Sequence, residues 1–94
     1  MNQQTSRQLL LNVKGKVQGV FFRRTVKQYA EEIGLTGYAR NLENGDVEIC
    51  VQGPKDKLEM FIKKIKENSG RAQIESLSAH YSLPNKNFSD FQTL

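Results

Sequence analysis

Residues 9–34 read LLLNVKGKVQGVFFRRTVKQYAEEIG, and a change of period inside this stretch decides the architecture. Leu9, Leu11 and Val13 fall in phase within a short apolar run, the pattern of a largely buried strand. Gly15 and Gly19 then bracket a loop. From Phe22 the apolar residues Phe22, Val26, Tyr29, Ala30 and Ile33 recur at steps of three and four, which marks one face of a helix. Gly34 is placed to end that helix in a left-handed conformation that other residues adopt at greater cost.

Working outward, Thr36 to Leu42 reads as a second strand and Val47 to Val51 as a third with clear alternation. Asn44-Gly45 between them is a strong hairpin signal, because both residues tolerate positive φ. Gly53-Pro54 closes the third strand and opens another helix, with Pro54 suited to the first helical position. Leu58, Phe61, Ile62 and Ile65 form its apolar stripe, and Lys55, Lys57, Lys63, Lys64 and Lys66 fall largely on the solvent side. Gly70 breaks that helix. Ala72 to Tyr81 reads as a fourth strand whose apolar phase shifts between Ile74 and Leu77, predicting a bulge or a late start. Pro84 and Asn85 make a turn, and Phe88 to Thr93 is a short final strand. The order is β-α-β-β-α-β with an extra strand piece. Two amphipathic helices covering one face of an antiparallel sheet, joined by right-handed crossovers, give an α+β fold, the ferredoxin-like α/β sandwich. That fold hosts binding modules and enzymes alike, so it does not name a function.

With 94 residues, the chain is expected to form a single domain over 1–94 with one modest core. Its 14 Lys+Arg against 10 Asp+Glu leave a net charge of +4, which favours anionic partners without choosing among them. Cys50 is the only cysteine, so neither an internal disulfide nor a thiolate metal cluster can form, which suits a reducing, cytoplasmic compartment. Residues Met1 to Ser6 are polar and show no apolar leader core. The longest apolar run is far below the ~18 residues of a membrane span, so no membrane partner is expected.

Chemistry concentrates in Gly15-Lys16-Val17-Gln18-Gly19-Val20-Phe21-Phe22-Arg23. This segment joins a strand end to a helix start, where main-chain N–H groups lack intrahelical partners and the positive end of the helix dipole stands behind them. Such a loop can curl around an anion. Arg23, in the first helical turn, can offer a planar fork to phosphate oxygens. Arg24 lies about 100° round the helix from Arg23 and reads as a solvated charge. The glycine spacing is neither the dinucleotide fingerprint nor the Walker loop. Taken by itself it also fits a plain structural turn followed by a surface arginine.

The pattern Gly-x-Val-Gln-Gly-Val-x-Phe-Arg over Gly15–Arg23 resembles the signature of the acylphosphatase family at every fixed position. A second signature accompanies it: Gly37-Tyr38-Ala39-Arg40-Asn41, then Gly45, Val47 and Gly53. The similarity runs from about Gln8 to Phe91. It implies a small free-standing, metal-free hydrolase of the carboxyl–phosphate bond of acyl phosphates. Arg23 then resembles the family's phosphate-binding arginine, Asn41 the asparagine that holds the attacking water, and Gln18, Gly19, Val20, Phe21 and Phe22 the backbone cradle. The implied partners are a small-molecule acyl phosphate and, as product, inorganic phosphate. No cofactor is expected, and a monomer is the default for a domain this small. Many family members end in a basic residue followed by an aromatic one, whereas this chain ends Phe91-Gln92-Thr93-Leu94, a departure that touches terminal packing rather than chemistry. Leu42 stands where many animal members carry threonine, as in bacterial-type members, and removes one hydrogen-bonding partner near Asn41.

The remaining reactive side chains read as structural. Arg40 and Asn41 point to opposite faces of their strand, which sets Arg40 aside as structural or a minor electrostatic aid. Cys50 alternates with Ile49 and Val51 with no basic neighbour, so an inert packing role is expected. His80 has no cysteine or carboxylate cluster beside it and is a poor metal ligand. A nucleic-acid module of the RRM type would stack bases on strand aromatics. The corresponding strands here carry Leu9, Leu11, Val13, Val47, Ile49 and Val51, so no nucleic-acid partner is expected. Acylphosphatase-like domains also open larger hydrogenase-maturation proteins that continue into zinc-binding cysteine motifs. One cysteine in this chain favours the free-standing enzyme.

Overall fold

A computed structural model describes residues 6–94; the reading of Met1 to Thr5 as lacking a leader core lies outside the described residues. The elements are β1 (Arg7–Lys16), α1 (Phe22–Ile33), β2 (Thr36–Asn41), β3 (Val47–Gly53), α2 (Lys55–Glu67), β4 (Gln73–Ser82) and β5 (Phe91–Thr93). The strands form one sheet in the order β4-β1-β3-β2-β5, and both helices pack on the same face, as the ferredoxin-like α+β reading requires.

The alternation noted in β1 and β3 becomes three cross-strand rows, Leu9↔Val51, Leu11↔Ile49 and Val13↔Val47, all fully buried. Phe22, Val26 and Ala30 of α1 and Leu58, Phe61 and Ile65 of α2 close over them. Burying one such aliphatic side chain is worth about 1.5–3 kcal/mol. The partly exposed ion pairs Arg40–Glu48 and Lys64–Glu32 add little beside this, because solvent screens them and holding long side chains in place costs entropy; Lys14–Asp46 differs in that its carboxylate is buried. The rows and the helix faces hold the fold; the ion pairs trim it.

The phase shift in β4 is a bulge: Lys14 pairs Ser76 and Gly15 pairs Ile74, leaving Glu75 unmatched. Pro54 stands one residue ahead of α2 rather than in its first turn. Lys64 departs from the solvent face assigned to its neighbours. Its ammonium lies 2.8 Å from Glu32 and 4.9 Å from the centre of the Tyr29 ring, tying α2 to α1. In the hairpin only Gly45 takes positive φ (97°). Asn44 contributes through its side chain instead, its Oδ1 accepting the Asp46 N–H at 3.0 Å.

The sheet is not wholly antiparallel, because β5 runs parallel to β2 (Gly37↔Phe91, Ala39↔Thr93). The cause is the connection. Residues 83–90 cross the helix-free face from the β4 edge to the β2 edge, where Phe88 meets the Tyr38 ring edge-on at 5.7 Å. A chain that leaves the end of β4 and crosses the whole sheet re-enters at the end where β2 begins, so it must run alongside β2.

Candidate active site

The loop between β1 and α1 is built from both ends. Val17 and Phe22 are each 1% exposed and anchor it in the core, and the residues between them must turn sharply. Gly19 (φ 76°) and Phe21 (φ 60°, ψ 23°) both take the left-handed conformation, and Phe21 is the one non-glycine to do so among the described residues. Such a conformation costs about 1–3 kcal/mol and persists where the surroundings enforce it, often at functional sites. Burial of the Phe21 ring does not repay that cost, since the residue is 67% exposed.

The turn aims main-chain donors outward. Among the described residues, no N–H from Gln18 to Arg24 donates to a protein acceptor; the first is Thr25, which donates to the Phe21 carbonyl at 3.0 Å. α1 has no side-chain N-cap bond and no acidic residue in its first turn. The positive end of the helix therefore stands uncompensated behind a curled run of donors, an arrangement suited to an anion.

Two tethers bring this loop to the end of β2. The Gln18 Nε2 donates to the Leu42 carbonyl at 2.8 Å and the Asp46 carbonyl at 2.9 Å, joining the loop to the hairpin beside Asn41. The Arg23 guanidinium donates to the Leu94 main-chain oxygen, and the Leu94 N–H donates to Ala39 at 2.9 Å. Ala39 and Asn41 share the helix-facing side of β2; Ala39 is buried and Asn41, the last residue of the strand, is exposed.

A cleft of about 700 Å³ opens here, lined by Gly19, Phe21, Phe22 and Arg23, with Thr93 of β5 on one side. Gln18, Val20 and Asn41 are not part of its lining: Gln18 faces the hairpin, Val20 packs against the core, and Asn41 sits at the strand end. The cleft continues along α1 past Arg24, Lys27 and Glu31. Arg24 is exposed, yet it belongs to the wall of this cleft and not to open surface.

Sequence reasoning missed Asp46. This residue is only 6% exposed, and its carboxylate accepts from Asn12 at 2.8 Å, Lys14 at 2.7 Å and Asn44 at 3.2 Å. The Asn12 bond first and Lys14 second hold its carboxyl below the usual range. Its carbonyl receives Gln18 and the Leu42 N–H, so one residue fixes strand β1, the hairpin and the loop together. The Asn44-Gly45-Asp46 spacing was the only trace of it in the sequence.

The other candidates stand apart. Arg40 pairs with Glu48 at 2.8 Å on the helix-free face, opposite Asn41. Cys50 is buried on that face, and burial first and Glu48 second push its thiol up, away from reactivity. His80 is exposed on β4 and pairs across to Leu10. Among the described residues no helix is long and apolar enough to cross a membrane, and no three His, Cys, Asp or Glu side chains gather as a metal site would require.

The model of the acylphosphatase family matches residues 9–93. An acylphosphatase of Dehalococcoides mccartyi is 44% identical over 80 residues, covering 84% of this chain and 88% of the relative. One of Vibrio parahaemolyticus is 44% identical over 82 residues, covering 87% and 90%. The crystal structure of acylphosphatase from Bacillus subtilis superposes with a TM-score of 0.88 at 31% identity, covering 94% of this chain and 98% of that one.

Proposed function

The chain belongs to the acylphosphatase family, and from that premise we propose that it hydrolyses the carboxyl–phosphate bond of acyl phosphates at the β1–α1 loop, releasing a carboxylate and inorganic phosphate. The observation that carries the assignment to this loop is the run of unpaired main-chain donors from Gln18 to Arg24 beside the Arg23 guanidinium.

The chemistry asks for little more. A carboxylate is a good leaving group, so expulsion needs no strong acid. What remains is to hold the phosphoryl group, balance charge on its equatorial oxygens and place a water in line. The amides of Gln18 to Phe22 and the Arg23 fork supply the charge balance from positions the fold has already fixed. That is the service a divalent cation gives in other phosphoryl-transfer sites, which supports a metal-independent reaction. Arg23 is then released from Leu94 to the phosphate, or bridges both. Asn41 orients the water through its amide oxygen but is no base; the proton passes to a phosphate oxygen of the substrate. The reading includes a monomer working in the cytoplasm on a small-molecule substrate, without nucleic acid or membrane.

The test is hydrolysis of benzoyl phosphate in EDTA, followed by loss of its absorbance. Rapid turnover in the wild type, abolition in Arg23→Gln and a loss of about 10²–10³-fold in Asn41→Ala are expected, by analogy with removal of one oxyanion donor. No hydrolysis by folded wild type would reject the enzyme at this site. Near-normal Asn41→Ala would remove the water-positioning role.

A further inference from the structure

Asn41 is placed by its main chain alone. Its side chain makes no hydrogen bond among the described residues, it is exposed at the last position of β2, and Leu42 beside it has no polar side-chain atom. The β1–α1 loop, by contrast, is anchored in the core at both ends by Val17 and Phe22. The separation between the loop and Asn41 therefore depends on what holds residues 42–46. The Leu42 N–H donates to the Asp46 carbonyl at 2.9 Å, and the Gln18 Nε2 reaches the carbonyls of both residues at 2.8 and 2.9 Å. Within 42–46, among the described residues, only Asp46 carries a side chain bonded to another strand. Its Oδ2 accepts from Asn12 at 2.8 Å and from Lys14 at 2.7 Å. Both residues alternate with the core-facing Leu11 and Val13 of β1 and so stand on the helix-free face. Asn44 adds a donor at 3.2 Å and takes the Asp46 N–H on its own Oδ1 at 3.0 Å. A buried carboxylate that collects these donors, one of them charged, is costly to displace.

We propose that Asp46, clamped by Asn12 and Lys14, is a positioning residue for the hydrolysis: it fixes the end of β2 so that Asn41 meets the attacking water at a set place relative to the loop. This role rests on the acylphosphatase reading and on the water-holding part given to Asn41 within it. The carboxylate is held on the helix-free face and the Asn41 side chain lies on the other, so Asp46 acts through the main chain of Leu42 and not by touching the substrate. Without the clamp the hairpin keeps its turn at Gly45, but the strand end gains freedom. A displacement of about 1 Å in a positioning group can cost on the order of 100-fold in rate, so a loosened strand end is expected to cost about tenfold. Binding of the phosphoryl group uses the loop donors and Arg23, which Val17, Phe22 and α1 hold in place without residue 42.

The test is a double-mutant cycle on benzoyl phosphate turnover, with the inhibition constant of inorganic phosphate measured beside kcat. Asp46→Ala is expected to lower kcat about tenfold in the wild-type background and to leave the phosphate constant within about twofold. In the Asn41→Ala background the same substitution should cost nothing further, because the group it positions is gone. Asn12→Ala, which leaves the carboxylate in place with Lys14, should follow the same pattern with a smaller loss, and it carries the test if Asp46→Ala does not fold. A merely structural residue would lose the same factor in both backgrounds, and that result overturns the proposal. So does a phosphate constant that rises as kcat falls, or wild-type turnover in folded Asp46→Ala. Absence of turnover in the folded wild type removes the acylphosphatase reading itself, and the positioning role falls with it.

Discussion

Asp46 shows how much of the scaffold around the candidate site one side chain can hold together. Its carboxylate gathers Asn12, Lys14 and Asn44, and its carbonyl takes Gln18. Because its folded pKa is depressed, chiefly by the Asn12 bond and then by Lys14, its contribution is present above the unfolded value of about 3.9 and is lost as pH falls through the folded one. Asp46→Asn should therefore be less stable than the wild type at neutral pH, with the difference shrinking below about pH 4. Urea unfolding of both proteins across that range checks it; a difference that stays constant with pH would mean that the carboxylate charge is not what binds the hub. Such a residue was poorly legible in the sequence. Arg23 and Gly19 were legible as candidates because a strand-to-helix turn singles them out by position. Asp46 acts through partners 34 and 32 residues away, which no local pattern encodes. Phe21 was named with the cradle, but not its left-handed backbone, since a bulky side chain argues against that conformation.

At the level of elements, period and glycine placement carried the reading. The strand phases, the helix faces, the bulge in β4 and the hairpin site all follow from spacings shorter than a dozen residues. What spacing did not carry was direction across the sheet: Phe88 to Thr93 read as a strand, only Phe91–Thr93 form one, and its parallel pairing with β2 depends on the path of residues 83–90 over the helix-free face. Gly37 stands between the two neighbours of β2, paired with Val51 of β3 and Phe91 of β5. Its φ is 145°, and a Cβ there would stand 1.8 Å from the Cys50 oxygen and 2.8 Å from its carbonyl carbon. Its N–H donates to the Asp90 carbonyl at 2.9 Å, just ahead of β5. Gly37→Ala should thus combine backbone strain with a collision against a central strand and cost about 2–5 kcal/mol. Gly45→Ala is the control, since its φ is 97° but no atom lies within 4 Å of the added carbon; strain alone costs about 1–2 kcal/mol. Equal losses in urea melts would show that the close approach of β2 to β3 carries no weight.

Across the whole molecule, the shortest strand joins the core to the site. Phe91 is 2% exposed and seats β5 against β2, and three residues later Leu94 bonds both Ala39 and the Arg23 guanidinium. Core packing and the placement of the Arg23 guanidinium are therefore linked through a segment of four residues. Phe91→Ala should cost about 3–5 kcal/mol by loss of a buried ring, a large part of the ~5–15 kcal/mol that a small domain commands. Loss of stability alone does not test the link, because any buried ring would give it. Phe61→Ala supplies the comparison: Phe61 is 0% exposed and sits on α2, which contributes no residue to the cleft. At a temperature where both variants remain folded, benzoyl phosphate turnover should fall several-fold in Phe91→Ala, with a raised KM as Arg23 loses its rest position, and stay near wild type in Phe61→Ala. If the two variants lose stability and turnover in the same proportion, β5 serves the core alone, and Arg23 is held by α1 without help from Leu94.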